Sequence, residues 1–148
     1  MSAADLPAGW VALVRGDLQT AQRAADNVPG GHRRWPEALH LQVRILLAEG
    51  RTDRAEAVLS QALQRRPEVA KQPSVQFATG FLRDAQNRPA EAAAALAQGL
   101  ADKPEARLAG QRAGALAFTP GVPDTVSGEA VWGAARAEAV AALRAGSL

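Results

Sequence analysis

The chain has 148 residues, a formal net charge of +2, and neither cysteine nor tyrosine. This length suffices for one domain with a buried core, and the absence of cysteine excludes disulfides, cysteine-ligated zinc and a thiol nucleophile. Alanine, leucine, arginine, glutamate and glutamine dominate the sequence, whereas β-branched residues are sparse. Because these residue types favour helices over strands, the composition predicts an all-α fold.

The sequence shows no targeting or membrane-spanning segment. Residues 1–10 contain no basic region followed by an apolar run, so we expect no secretory signal. No uncharged apolar run is long enough to cross a bilayer. We therefore expect a soluble, cytoplasmic protein that has no membrane partner.

Apolar residues at helical spacing, separated by turn and capping signals, predict eight helices. Pro36 and Pro89 suit first helical turns, where a missing backbone N–H is tolerated. Gly16 and Gly50 end helices, and Asn87 takes the same place, because Asn is the next-best residue for a left-handed turn. The predicted helices span residues 5–14, 17–28, 36–49, 52–64, 74–86, 89–100, 105–117 and 128–145.

Capping residues and one loop complete these predictions. Asp17 is placed to cap the second helix, Thr52 or Asp53 the fourth, and Ser127 the last. Residues 118–128 contain two prolines and two glycines, so they predict a loop that no helix crosses. The last helix offers an apolar stripe for docking on the other helices, formed by Val131, Trp132, Ala135, Ala139 and Leu143.

The turns recur at a nearly constant spacing. The turn residues Gly16, Gly50 and Asn87 are 34 and 37 residues apart. An alanine lies five positions after each turn, and an apolar residue lies nine positions after it; a proline lies seventeen positions after the second and third turns. These residues are Ala21, Ala55 and Ala92; Ala25, Leu59 and Leu96; and Pro67 and Pro104. Since one helix hairpin cannot bury its apolar face alone, the period predicts hairpins that stack on one another.

This pattern resembles the tetratricopeptide repeat (TPR), a helix hairpin with a small residue at its turn, an alanine early in its second helix and a closing proline. The similarity covers roughly the first two thirds of the chain, and Gly80 falls on the family's first-helix glycine. Leu39 and Gln76 depart from the family pattern by replacing its first-helix aromatic, and about three extra residues precede the third repeat. The repeats span residues 5–29, 37–67 and 74–104.

The resemblance implies a single domain of antiparallel helix hairpins, stacked as a short right-handed α-solenoid. Residues 105–148 are then a C-terminal capping segment, which shields the end of the stack. An irregular helical bundle with accidental periodicity is the alternative fold.

No constellation of residues in the sequence predicts catalysis. A zinc site on a helix needs a second ligand three or four positions from the first, and His40 has none there. The closest acidic pair on one helix, Asp53 and Glu56, lies beside arginines and is typical of a solvated face. Glycine-rich phosphate loops and nucleophile elbows are absent from the sequence. We therefore predict a protein that is not an enzyme and binds neither metal nor cofactor.

In the family that the chain resembles, the first helix of each hairpin lines a concave groove that accepts an extended or helical peptide. Carried over by position relative to the turn, the groove candidates are Trp10, Glu37, His40, Arg44, Ser74, Phe77, Phe81 and Asp84. If the first helices line such a groove, five of these side chains approach one another across adjacent repeats: Trp10, His40, Arg44, Phe77 and Phe81.

Three of the groove candidates can be weighed further from the sequence. Phe77 and Phe81, four positions apart, fit a groove and a hydrophobic core equally well. Arg44 belongs on an exposed face, because an apolar interior would not hold an unpaired guanidinium. The family's carboxylate clamp, which uses lysine and asparagine, is not implied, since no groove candidate is either residue.

Three functions follow from these features. The first is an adaptor or chaperone-like module that binds a peptide segment or partner protein. The second is a structural or oligomerisation module that pairs with another copy of itself. The third is a nucleic-acid-associated regulator that uses the pairs Arg33–Arg34 and Arg65–Arg66. Carboxylates lie near both pairs and no concentrated basic stripe exists, so we expect no nucleic-acid partner.

Overall fold

The computed structural model describes residues 5–101 and 134–146, and every regular element in these ranges is a helix. The prediction of an all-α fold is therefore confirmed for this part of the chain. The helices are α1 Leu6–Arg15, α2 Leu18–Asp26, α3 Trp35–Ala48, α4 Thr52–Arg65, a 3₁₀-helix Pro67–Lys71, α5 Pro73–Ala85, α6 Pro89–Gly99 and α7 Ala134–Arg144. The predicted helix 105–117, the loop 118–128, Ser127, Val131 and Trp132 lie outside the described residues.

The three hairpins turn through residues with a left-handed backbone, as the sequence predicts. The φ angle is +81° at Gly16, +74° at Gly50 and +62° at Asn87. One hydrogen bond, from the N–H of the next residue to a carbonyl in the preceding helix, recurs in all three turns: Asp17 to Ala12 at 2.8 Å, Arg51 to Leu46 at 2.9 Å and Arg88 to Arg83 at 2.9 Å. The turns are therefore one structural motif, in which Asn87 replaces glycine.

One predicted helix cap is present and another is not. The Asp17 carboxylate accepts hydrogen bonds from the hydroxyl of Thr20 at 2.6 Å and from its backbone N–H at 3.2 Å. These bonds, the hydroxyl bond first, lower the pKa of Asp17. The prediction that Thr52 or Asp53 caps the fourth helix is wrong: α4 already begins at Thr52, and Arg51 occupies the N-cap without a side-chain hydrogen bond. Arg51 follows Gly50 directly and takes the N-cap position, as Asp17 does after Gly16, but an arginine side chain has no hydrogen-bond acceptor.

Two hairpins bring their helices close together at a glycine seven residues before the turn. A Cβ atom added at Gly9 would lie 2.7 Å from the Cβ of Ala24, and one added at Gly80 would lie 3.2 Å from the carbonyl oxygen of Ala92. Val43 occupies the corresponding place in α3, which packs less closely against α4. The alanines that follow each turn by five positions are fully buried, as the period predicts: Ala21, Ala55 and Ala92.

The helices contact one another in a regular order. Helices α1, α3 and α5 each pack against the following helix and against the next odd-numbered helix. Helix α7 continues this order, because it packs against α5 and α6 as α3 packs against α1 and α2. It also leads into Gly146, whose φ of +75° repeats the conformation of the hairpin turns. The contacts of α7 with α5 and α6 thus repeat those of α3 with α1 and α2.

In the part of the chain that the structure describes, the core forms three clusters of buried side chains that follow one another along the sequence. Trp35 packs against both the first and the second cluster. The segment with the extra residues before the third hairpin forms the 3₁₀-helix, which contributes the fully buried Val69 to the second cluster. Within the described ranges, no helix has the length and apolar character needed to cross a membrane.

Candidate functional site

The last turns of α1, α3 and α5 surround an open groove of about 480 Å³. Its lining residues are Leu13 and Val14 from α1, Arg44, Leu47 and Ala48 from α3, and Phe81, Asp84 and Ala85 from α5. We call this space the groove. Six of its eight lining residues are apolar, and the other two are a guanidinium and a carboxylate.

Equivalent positions of the three hairpins build the groove. Its residues lie two, three or six positions before the left-handed turn residue, a spacing that places them on one helix face. The first set is Val14, Ala48 and Ala85; the second is Leu13, Leu47 and Asp84; the third is Arg44 and Phe81, with Trp10 at the same position of α1. Three parallel copies of one helix face therefore meet at the groove.

Four rings from α1, α3 and α5 pack together beside the groove. The ring centroid of His40 lies 4.8 Å from that of Trp10, in an edge-to-face arrangement. It lies 5.7 Å from the centroid of Phe77 and 5.9 Å from that of Phe81. Pairs at such distances are favourable, so these four rings, which we call the aromatic cluster, hold α1, α3 and α5 together.

Arg44 connects the aromatic cluster to the groove. Its guanidinium carbon lies 3.9 Å from the ring centroid of Phe81 and 5.5 Å from that of Trp10. Cation–π attraction of this kind strengthens as water is excluded. The guanidinium therefore remains charged while its flat face packs on apolar surface, which places a positive charge in the wall of the groove.

His40 is fully buried at the centre of the aromatic cluster. Both ring nitrogens are buried, and neither has a hydrogen-bond partner in the described part of the chain. Burial, and then the charge of Arg44, lowers the pKa of His40 well below its ordinary value. The imidazole is consequently neutral near pH 7.

Asp84, the carboxylate in the groove, is paired with the last helix. The Arg144 guanidinium donates a hydrogen bond to the Asp84 carboxylate and a second one, of 2.8 Å, to the side-chain oxygen of Asn87. Asn87 thus serves both the turn and the docking of α7. The carboxylate of the groove is thus engaged by Arg144.

The structure brings the five predicted side chains together, but only two of them line the groove. Arg44 and Phe81 line the groove, as does Asp84. Trp10, His40 and Phe77 are only 6%, 0% and 3% exposed, so the expectation that they face an open groove is corrected: they form the packing beside it. Phe77 is a core residue, because its ring also packs against α6 at Gly99.

Two predicted residues lie away from the groove. Glu37 is in the first turn of α3, and its carboxylate accepts hydrogen bonds of 2.9 and 3.3 Å from the guanidinium of Arg34. Ser74 is in the first turn of α5. Both lie at the start of their helices, whereas the groove is formed by the helix ends.

Sequence reasoning missed the aliphatic part of the lining, because it selected aromatic and charged side chains. The missed residues are Leu13, Val14, Leu47, Ala48 and Ala85. A signal for them was present: all five precede a turn residue by two or three positions, as Asp84 does. Val14, with 42% of its surface exposed, is among the large apolar side chains left open to solvent.

One arginine of each basic pair is engaged within the protein. Arg34 is paired with Glu37. Arg66 is paired with Glu68 at 3.1 Å, donates a hydrogen bond of 2.5 Å to the Gly30 carbonyl, and lies over the ring of Trp35. The Arg34 ion pair is local, whereas the bond from Arg66 joins the end of α4 to the turn between α2 and α3.

The structure offers no metal site within its described ranges, where no group of three or more histidine, aspartate or glutamate side chains could hold an ion. His32 accepts a hydrogen bond of 3.0 Å at Nδ1 from the backbone N–H of Arg34, which stabilises the turn before α3.

Comparisons with protein-family models, with curated proteins and with solved structures find no match.

Proposed function

We propose that this protein is a non-enzymatic interaction module of TPR-like architecture, which binds a peptide segment of a partner protein in the groove. The observation that carries the proposal is the groove itself. Aliphatic side chains and Phe81, at equivalent positions of three hairpins, leave an open cleft beside the guanidinium of Arg44. A partner's side chain could bury apolar surface there without unfolding any helix.

Three observations support the TPR-like architecture. The same left-handed turn recurs in each hairpin, the alanine five residues after each turn is fully buried, and the order of helix contacts repeats along the chain. We infer a short right-handed stack of three hairpins, with α7 as its cap. In such a stack the odd-numbered helices share one face, which places the groove on that face.

The chemistry of the groove specifies the ligand class. Its lining favours an aliphatic or aromatic anchor, and the guanidinium of Arg44 favours a carboxylate next to that anchor. A carboxylate facing Arg44 would gain charge-assisted hydrogen bonds. We therefore propose a segment with an apolar residue beside a glutamate or aspartate, bound with an affinity near ~1 μM, or about −8 kcal/mol.

An adaptor or chaperone-like role suits this lining better than catalysis. General acid–base chemistry needs a titratable group aimed at a substrate. The carboxylate in the groove is instead paired with Arg144, and the neighbouring imidazole is buried in the aromatic cluster. Most of the surface that the groove presents to a ligand is apolar.

Selection of peptides by the protein tests the proposal. A random peptide library is panned at pH 7.5 against the full chain, and the enriched sequences are titrated by calorimetry. We expect enrichment of an apolar residue beside an acidic one. Arg44→Gln in the protein and Glu→Gln in the peptide then form a double-mutant cycle, with an expected coupling of about 1.5–3 kcal/mol.

Three results would count against the proposal. They are the enrichment of basic or purely polar peptides, the absence of coupling in the cycle, and the loss of peptide binding through self-association. Sedimentation of the unliganded protein detects the last of these, because a second copy seated in the groove would make the apparent mass depend on concentration.

A further inference from the structure

His40 lies beside the groove, where α1, α3 and α5 pack together. It belongs to α3, and it contacts Trp10 from α1 and both Phe77 and Phe81 from α5. It is completely buried, and within the described ranges no hydrogen bond would stabilise a proton on it. Packing between α1, α3 and α5 therefore depends on a neutral imidazole.

The side chains around His40 include no acidic group in contact with the ring that would favour its protonation, within the described ranges. The side chains that face it from α1 and α5 are aromatic and do not titrate. Arg44, on its own helix, is the charged group in the described ranges that acts on it, and it repels a second positive charge. Asp84, the acidic residue of the groove, is paired with Arg144.

We infer that His40 makes the groove acid-sensitive: uptake of a proton by its imidazole favours states in which α1 has separated from α3 and α5, and the groove opens. A proton can be accommodated once water reaches the ring, and this requires separation of the helices that carry Trp10 and the two phenylalanines. An effect of pH on peptide binding rests on the proposed function, whereas the opening of the groove itself does not.

The direction of the effect follows from proton linkage. The pKa of His40 is lowered in the folded protein, first by burial and then by Arg44, whereas an unfolded histidine titrates near ~6.5. Below this pH the open or unfolded states bind a proton that the folded state does not. The stability of the closed state is thus complete above about pH 6.5 and decreases as the pH falls.

Urea unfolding of the ligand-free protein tests this inference. Between pH 7.5 and pH 5.5, one such proton raises the unfolding equilibrium constant about tenfold. We expect the unfolding equilibrium constant to rise about tenfold more in wild type than in His40→Phe, which keeps a ring but cannot take up a proton. His32→Gln is the matched control and should keep the wild-type pH dependence. Equal pH dependence in wild type and His40→Phe would overturn the inference.

A second measurement applies even if His40→Phe fails to fold. The chain has two histidines, so His32→Gln assigns both imidazole resonances in the NMR spectrum of the folded protein. We expect the His40 resonance to keep its position from pH 7.5 to pH 5.5. A His40 resonance that titrates near its ordinary value in the folded state would refute the inference. Because no ligand is present, either result is independent of whether the groove binds peptides.

Discussion

Phe77 and Phe81 are one helical turn apart on α5, yet they lie in different surroundings. Phe77 is 3% exposed and packs against α6 at Gly99, whereas Phe81 is partly exposed and supports the guanidinium of Arg44 in the groove. The sequence could place both on one face, because their spacing is helical. It could not decide which is covered, since that depends on contacts with residues distant in the chain.

Truncation of the two rings should separate stability from binding. We expect Phe77→Ala to reduce the free energy of unfolding by about 3–5 kcal/mol, as for a buried aromatic. Phe81→Ala should reduce it by only about 1–2 kcal/mol, because less of its area is buried, but should weaken peptide binding at least about tenfold, since it removes a groove wall. Urea denaturation and calorimetric titration measure the two effects, and the opposite order in either would contradict the assignment.

At the level of whole helices, the sequence predicted boundaries and turns well because local residues determine them. Glycine or asparagine sets the left-handed turn, and Asp17 caps α2. Two features could not be predicted from the sequence, because they depend on contacts between residues that are distant in the chain. The 3₁₀-helix is held by the burial of Val69, and the separation of helices within a hairpin depends on which side chains meet between them.

Gly80 tests the close approach of α5 and α6. A methyl group added there would press on the Leu96 side chain and on the Ala92 carbonyl, so we expect Gly80→Ala to destabilise the protein by about 1–3 kcal/mol despite the higher helix propensity of alanine. Gly31→Ala is the control, because its added methyl group would meet open space. Thermal midpoints compare the two, and a Gly80→Ala variant as stable as wild type would show that the contact is not tight.

For the molecule as a whole, the sequence predicted that the last helix docks on the others, and α7 does pack against α5 and α6 with Ala135 and Ala139 buried. The proposed stripe was wrong at Leu143, which is 42% exposed. Leu143 precedes Gly146 by three positions, as the groove residues Leu13 and Leu47 precede their turn residues.

Removal of the last helix should expose the end of the stack. Leu96 and Leu100 are fully buried in a cluster that includes Ala134 and Ala135 of α7. A chain ending at residue 133 is therefore expected to lose stability and to self-associate in light scattering. Arg144→Met, which removes the partly exposed ion pair with Asp84 and the exposed hydrogen bond to Asn87, is the control and should cost only about 1 kcal/mol. A truncated chain that stays monomeric and equally stable would refute the capping role.

The groove can be filled without disturbing the core, because Ala48 and Ala85 line it and are both exposed. The most direct measurement is calorimetric titration of a selected acidic–apolar peptide against the double variant Ala48→Leu/Ala85→Leu. Ala94→Leu, an exposed alanine on α6 outside the groove, is the matched control. We predict at least about a hundredfold loss of affinity, or about 2.7 kcal/mol, in the filled variant at unchanged helicity and wild-type affinity in the control. Wild-type affinity in the filled variant would contradict binding in the groove.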